Sequence, residues 1–218
     1  MNIIIAGATG FVGGEIVRQA IVNDKINHAY ILTRKPIPEE LARSQKVTII
    51  QHDDFSHYPS ELLSRLQEAE GCLWALGGRA SQFPDVDTAR KVSVQYTLAA
   101  AEAFSSIPKG KKFKFVFLSG RFAEWDTNKR LFFMADTRRI KGEVEKGLCE
   151  LADTNPGKLE VWVVRPFGII PVNAGVMMKL LGHLSNFIDV DLLANNMIRI
   201  VSEGYPERII ENETLLAM

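Results

Sequence analysis

Short apolar runs alternate along this chain with longer segments in which apolar residues recur at helical spacing. The runs fall at residues 2–6, 29–33, 47–51, 72–76, 113–118 and 159–164, and their length and bulky side chains predict strands. They are almost continuously hydrophobic, as strands covered by helices on both faces must be. Between them, Val92, Tyr96, Ala99 and Ala103 share one stripe of a helix predicted to end near Pro108-Lys109-Gly110. Ile140, Val144, Leu148 and Leu151 share a face of another, broken by Asn155-Pro156-Gly157. A last helix, over residues 189–203, turns Leu193, Met197, Ile200 and Val201 inward and stops at Gly204. The alternation predicts an α/β protein with a doubly wound, mainly parallel sheet and helices on both faces. Residues 120–136 follow neither period and are read as a long loop over the carboxyl edge of the sheet.

The turn after the first run reads Gly7-Ala8-Thr9-Gly10-Phe11-Val12-Gly13-Gly14, and Ile16, Val17 and Ala20 then start a helix. Glycines at this spacing let the backbone turn tightly and approach a pyrophosphate without Cβ atoms in the way, while the helix amino terminus offers free N–H groups. Gly7 would make the turn, Gly10 the close approach and Gly13 the helix–strand contact, with Thr9, Phe11 and Val12 completing the cradle. A plain strand–helix turn could use the same glycines for packing, but the position directly behind a β-branched strand favours a dinucleotide and a Rossmann-type sheet. No Gly-Lys-Ser/Thr follows, which disfavours nucleoside triphosphate hydrolysis. About twenty residues beyond the turn, where an acid would accept from the ribose of NAD, the chain has Arg34 and then Lys35. A guanidinium there suits the 2′-phosphate of NADP, so the expected cofactor is NADP(H); an exposed basic turn is the plainer alternative.

Composition narrows the field. At 218 residues, one core is expected: a single domain over 1–218, with a small substrate-side portion at about 166–218. Lys plus Arg and Asp plus Glu are 26 each, which removes the overall basic charge that nucleic-acid binding relies on. The apolar opening meets Gly7 too soon, and lacks the basic leader, for a secretion signal. The apolar stretch 161–172 is interrupted by Arg165 and Pro166, so no membrane span is expected, and a cytoplasmic location is the default. Cys72 and Cys149 are too few for a disulfide framework or a zinc site, so no metal is expected.

Five segments in order, Gly7-x-x-Gly10-x-x-Gly13, Cys72-Leu73-Trp74-Ala75-Leu76-Gly77, Phe115-Val116-Phe117-Leu118-Ser119, Lys141-Gly142-Glu143-Val144-Glu145 and Val164-Arg165-Pro166-Phe167-Gly168, give nearly the whole chain a likeness. It resembles the atypical short-chain dehydrogenase/reductase family, in particular the branch related to Tat-interacting protein 30. The resemblance implies an oxidoreductase acting on a small carbonyl compound. It places Asp54 and Phe55 at the adenine, with Asp53 as a substitute, and Ala75, Leu76 and Gly77 along the adenine ribose and diphosphate. Ser119 falls at the active-site serine and Lys141 at the lysine that bonds the nicotinamide ribose. Pro166, Phe167 and Gly168 border the nicotinamide.

One departure matters. Catalytic members of the family carry a tyrosine four residues before the lysine, as proton donor to the substrate; here that residue is Thr137. An aliphatic hydroxyl is a far weaker acid than a phenol. Three readings remain: an enzyme using another acid, such as Ser119 through water, Asp136 or Asp126; a regulatory NADP(H) sensor with a protein partner and no turnover; or an interaction domain with a relict turn. Arg121, Phe122, Trp125 and Leu131-Phe132-Phe133-Met134 could wall a substrate pocket or present a partner surface, but a loop packed down on the sheet is the preferred expectation.

Overall fold

The computed structural model describes residues 1–107 and 110–218, so the helix end expected at Pro108-Lys109 lies outside the described residues. The strands are β1 (Asn2–Ala6), β2 (His28–Thr33), β3 (Val47–Gln51), β4 (Gly71–Trp74), β5 (Phe113–Leu118), β6 (Leu159–Arg165), β7 (Ile169–Ile170), β8 (Ile188–Asp189) and β9 (Ile209–Glu211). Seven of them form one parallel sheet in the order β3-β2-β1-β4-β5-β6-β9, and β7 pairs with β8 apart from it. The chain winds outward from β1 to β3, returns to β4 beside β1, and winds out the other way. That reversal opens a crevice between the carboxyl ends of β1 and β4.

Alternate residues of the central strands feed two separate cores. Ile3 and Ile5 belong to one core, with Val12, Ile16 and Val17 of helix α1 (Phe11–Val22). Ile4 and Ala6 belong to the other, with Trp74, Phe115 and Phe117. Burial on both faces is the physical reason that these strands read as continuous apolar runs. The register keeps Ile5 level with Ile31 on one side and Leu73 on the other.

Short helices α2 (Glu39–Ala42) and α3 (Ser60–Arg65) follow β2 and β3. Then come α4 (Val86–Arg90), α5 (Tyr96–Phe104), α6 (Ala135–Thr154), α7 (Val176–Leu184), α8 (Val190–Glu203) and α9 (Asn212–Ala217). In α8, Leu193, Met197, Ile200 and Val201 are all fully buried, each contributing roughly 1.5–3 kcal/mol. Gly204, at φ +80°, ends it as expected. Helix α6 also buries Ile140, Val144 and Leu148 as expected, and Asn155 caps it.

Four details differ from the sequence expectation. A wide π-type turn over Lys91–Gln95 joins α4 to α5. Its extra residue rotates the helix face, so α5 buries Thr97, Ala100, Ala101 and Phe104 and leaves Tyr96, Ala99 and Ala103 at the margin. Strand β4 ends at Trp74, which releases residues 75–77 as a loop on the carboxyl edge. A seventh sheet strand, β9, has three residues, too few to stand out as an apolar run. Helix α8 is not the last, since α9 follows β9.

Gly142 shows how tightly the loop before α6 is seated. A methyl group there would lie 1.9 Å from the Glu124 carbonyl oxygen, whereas one at Gly157 would meet nothing within 4 Å. Gly142→Ala is therefore expected to cost about 1–3 kcal/mol in urea unfolding, and Gly157→Ala close to nothing. Equal midpoints for the two variants would contradict this packing.

Candidate functional site

The glycine turn is built by exclusion of side chains. Gly7 has φ +89°, and a Cβ on it would lie 2.5 Å from the Ala75 carbonyl carbon. A Cβ on Gly13 would lie 2.0 Å from the Gly7 carbonyl oxygen. The turn thus runs against the end of β4, and α1 is pressed onto β1. The Gly10 N–H bonds the Gly7 oxygen at 2.9 Å, and the first helical bond of α1 is from Gly14 N–H to Gly10 at 2.9 Å. Among the described residues no carbonyl accepts from the Phe11, Val12 and Gly13 amides, and no side chain caps this end. They present a donor set and the positive end of a dipole to the crevice.

Gly7, Thr9, Leu32, Thr33, Arg34, Lys35, Phe55 and Leu76 line one open cleft of about 110 Å³. The end of β2 is folded by Thr33, whose hydroxyl donates to the Lys35 carbonyl at 2.6 Å and accepts from the Lys35 N–H at 3.2 Å. Arg34 is exposed beside this turn and, among the described residues, has no carboxylate partner. Phe55 is buried against Trp74 and contributes to the cleft wall. Asp54 is exposed and accepts from the Ser56 hydroxyl and from the Ser56 N–H at 3.0 Å, bonds that hold its carboxyl below the usual range.

The loop after β4 leads from this cleft to Lys141. Ala75 N–H bonds Ala6 at 3.0 Å. A Cβ on Gly77, whose φ is +130°, would lie 3.6 Å from Ser93 Oγ and 3.9 Å from Lys141 Nζ. Lys141 Nζ donates to the Leu118 carbonyl at 2.9 Å and stands 4.9 Å from the centre of the Phe117 ring. Burial pushes its ammonium down to about 8, while Glu145, one helical turn on, pulls the other way.

The hydroxyls at the positions of chemical interest are engaged with the protein. Ser119 is buried and its hydroxyl donates to Glu145 Oε1. Glu145 is fully buried and also accepts from Trp125 Nε1–H at 2.7 Å, Arg165 Nε–H at 3.0 Å and an Arg165 Nη. Arg165 in turn reaches Glu211 at 2.6 Å. An ionised carboxylate can only accept, so the Ser119 proton is committed to it, and Ser119 Oγ offers lone pairs to anything else. Thr137 Oγ1 accepts from the Ala80 N–H at 2.9 Å.

Pro166 and Phe167 lie where β6 ends. The Pro166 carbonyl accepts from Arg121 N–H at 2.8 Å, and Phe167 N–H donates to Asn212 Oδ1 at 2.8 Å. Phe167 is half-exposed, edge-on to Phe122 at 5.7 Å. The expectation that the loop packs down along its length is corrected: it is tied at Glu124, whose N–H bonds Arg138 at 2.9 Å, and at Trp125, but Phe132 is 100% exposed and Phe133 64%. Lys129 and Arg130 precede these phenylalanines and favour water over the sheet.

Sequence reasoning missed the roles of Glu145 and Arg165 and did not single out Ser93, and it named Trp125 only as a pocket wall or partner surface. Glu145 lies four residues after Lys141, a spacing that places both on one face of a helix. Ser93 was hidden by the π-type turn; its Oγ is buried with no protein partner. Among the described residues no group of His, Cys, Asp or Glu could hold a metal ion, and no helix is long and apolar enough to cross a membrane.

No protein-family profile matches the chain. Leucinostatins biosynthesis cluster protein T of Purpureocillium lilacinum is 30% identical over 166 residues, 74% of this chain, and the match spans 56% of that relative's length. Among solved structures, Gre2 from Candida albicans in complex with NADPH superposes with TM-score 0.73 at 15% identity, over 97% of this chain and 77% of that one. UDP-glucuronic acid 4-epimerase from Bacillus cereus, in complex with UDP-glucuronic acid and NAD, gives 0.69 at 13%, over 97% and 77%. A short-chain type dehydrogenase/reductase from Mycobacterium ulcerans gives 0.68 at 16%, over 99% and 90%. At such identities the likeness is one of architecture, and it does not reach the closer comparison with the Tat-interacting protein 30 branch. The chain therefore has the Rossmann fold in the form found in short-chain dehydrogenase/reductase and sugar-nucleotide epimerase structures.

Proposed function

We propose that this chain is an NADP(H)-binding oxidoreductase of the short-chain dehydrogenase/reductase type, acting on a small carbonyl compound. The observation that carries the reading is the cleft lined by Gly7, Thr9, Arg34, Lys35, Phe55 and Leu76, at the end of β2 and beside the turn that opens α1. From Leu76 the chain passes to Gly77, where a Cβ would lie 3.9 Å from Lys141 Nζ. The residues fit a dinucleotide: among the described residues the Phe11, Val12 and Gly13 amides have no acceptor, and Arg34 and Lys35 line the same cleft as Gly7 and Thr9.

In this reading the α1 amides, with Thr9 and Gly10, hold the pyrophosphate, and Arg34 with Lys35 takes the 2′-phosphate. Asp54 and Phe55 flank the adenine, and Pro166 and Phe167 border the nicotinamide. Bound NADPH supplies hydride; the protein must hold the proton. Thr137 is bonded to Ala80 and Ser119 gives its proton to Glu145. Asp126 spends its exposed carboxylate on the Asn128 N–H at 2.9 Å. Asp136 stands exposed in the first turn of α6. Lys141 is therefore assigned the proton near neutral pH, with two N–H bonds beyond the one to Leu118. The second reading, an NADP(H)-responsive protein without turnover, is favoured by one observation: the Ser119 proton is committed to Glu145.

NADPH at about a hundred times its Kd is expected to add about 2.7 kcal/mol of stability, with NADH at the same concentration adding clearly less. Arg34→Asp should weaken NADPH about tenfold or more and reverse the preference. Equal melting shifts for the two nucleotides would remove Arg34 from the phosphate. For reduction of an aldehyde the protonated Lys141 is the active form. The rate should therefore be full below about pH 8 and fall as pH rises through that value, with Lys141→Ala losing turnover. A rate that is flat across this range takes the proton away from Lys141, and NADPH binding with no turnover on any carbonyl favours the second reading.

A further inference from the structure

Phe122 is held in an unfavourable backbone conformation without hiding its ring. Its φ is +71°, a region that costs a residue with a Cβ about 1–2 kcal/mol, yet 48% of the residue is exposed. Neighbouring hydrogen bonds impose the geometry. Arg138 Nε–H donates to the Phe122 carbonyl at 2.8 Å, and Arg121 N–H donates to the Pro166 carbonyl at 2.8 Å. The result is an aromatic edge at the mouth of the site, with Phe167 edge-on beside it. Strain of this kind persists where surrounding structure over-determines it, and such places cluster at ligand sites.

Two guanidinium groups stand over that ring, with their central carbons 5.3 Å (Arg121) and 5.7 Å (Arg138) from its centre. They differ in charge balance. Arg121 is neutralised by Glu213 at 2.8 Å and lies 5.2 Å from the Phe167 ring, so it serves as packing between the phenylalanines. Arg138 uses only Nε, on a backbone oxygen, and no carboxylate lies within ion-pair distance of it among the described residues. Its terminal nitrogens form the planar fork that a carboxylate fits with two parallel bonds. Beside these groups there is room, since a Cβ on Gly120 would meet nothing within 4 Å. Arg138 and Lys141 are three residues apart on α6, which places them on one helix face with Cβ atoms about 5–6 Å apart.

We propose that the mouth of the site binds an aromatic carboxylate, with Arg138 pairing the carboxylate and Phe122 and Phe167 taking the ring. This rests on the reading of the crevice as that of a carbonyl oxidoreductase, and it narrows the substrate to an aromatic aldehyde or ketone bearing a carboxylate. The ligand's anion then occupies the terminal nitrogens of Arg138, which have no carboxylate partner among the described residues, and its carbonyl lies within reach of the helix face that carries Lys141.

The test compares 4-carboxybenzaldehyde with benzaldehyde as NADPH-dependent substrates, and follows unreactive terephthalate against benzyl alcohol by saturation-transfer NMR. The expected result is a kcat/KM about tenfold or more higher for the carboxylated aldehyde, seated mainly in KM, and binding of terephthalate in preference to benzyl alcohol. Arg138→Gln should bring the substrate ratio near one and abolish the terephthalate signal, and Arg138→Lys should keep part of both. Equal wild-type values for the charged and neutral compounds overturn the proposal whatever the variants do, even where NADPH still raises the melting temperature and the cofactor reading stands. Arg138-dependent terephthalate binding without turnover of any aldehyde keeps the anion site and removes the carbonyl-reducing reading.

Discussion

A single buried carboxylate organises the carboxyl edge of this sheet. Glu145 has no exposure, and its two oxygens accept from Ser119 at the end of β5, Trp125 in the long loop and Arg165 at the end of β6. Two strand ends, a loop and helix α6 are thereby fixed to one point. Deleting one partner of a buried ion pair leaves the other uncompensated and costs about 3–5 kcal/mol, so these groups stand or fall together. Lys141, one turn earlier on the same helix, inherits its position from this anchor.

The chemistry of the site follows from how the anchor spends its donors. Ser119 sits in the primary sequence where a substrate-facing hydroxyl is expected, but a neighbouring acceptor with no proton of its own turns its O–H inward. Thr137 instead accepts from the Ala80 amide and keeps its own proton, but an aliphatic hydroxyl is a far weaker acid than a phenol. In the proposed reading the proton role therefore falls to Lys141, one helical turn beyond Thr137, where burial favours release of the ammonium's proton.

Much of this was legible in the sequence. Residues 2–6 and 113–118 matched β1 and β5 because strands buried on both faces leave nearly unbroken apolar runs, and residues 47–51 matched β3, an edge strand that buries only Ile50. The glycine turn was legible because backbone contacts at Gly7 and Gly13 tolerate no Cβ, and Arg34 and Lys35 line the cleft where spacing put them. Other features depend on tertiary context. The rotated face of α5 depends on one additional residue in a turn, which leaves no mark in local periodicity. The role of Glu145 depends on Arg165, Ser119 and Trp125 arriving from distant segments, so as an isolated acid on a helix it reads as solvent-facing. The apolar content of residues 131–134 pointed to burial, and the structure leaves Phe132, Phe133 and Met134 exposed.

The attachment at Glu124 and Trp125 gives the long loop one firm seat part-way along. As far as Trp125, any displacement is passed to Glu145 and hence to the strand ends. Beyond it, Lys129 turns back to Glu124 through an ion pair at 2.6 Å while its carbonyl accepts from Arg139, so the bend is stapled on both sides and Phe132 stands in solvent. A change at Phe132 therefore disturbs no contact beneath, whereas a change at Lys129 pulls on the seat itself.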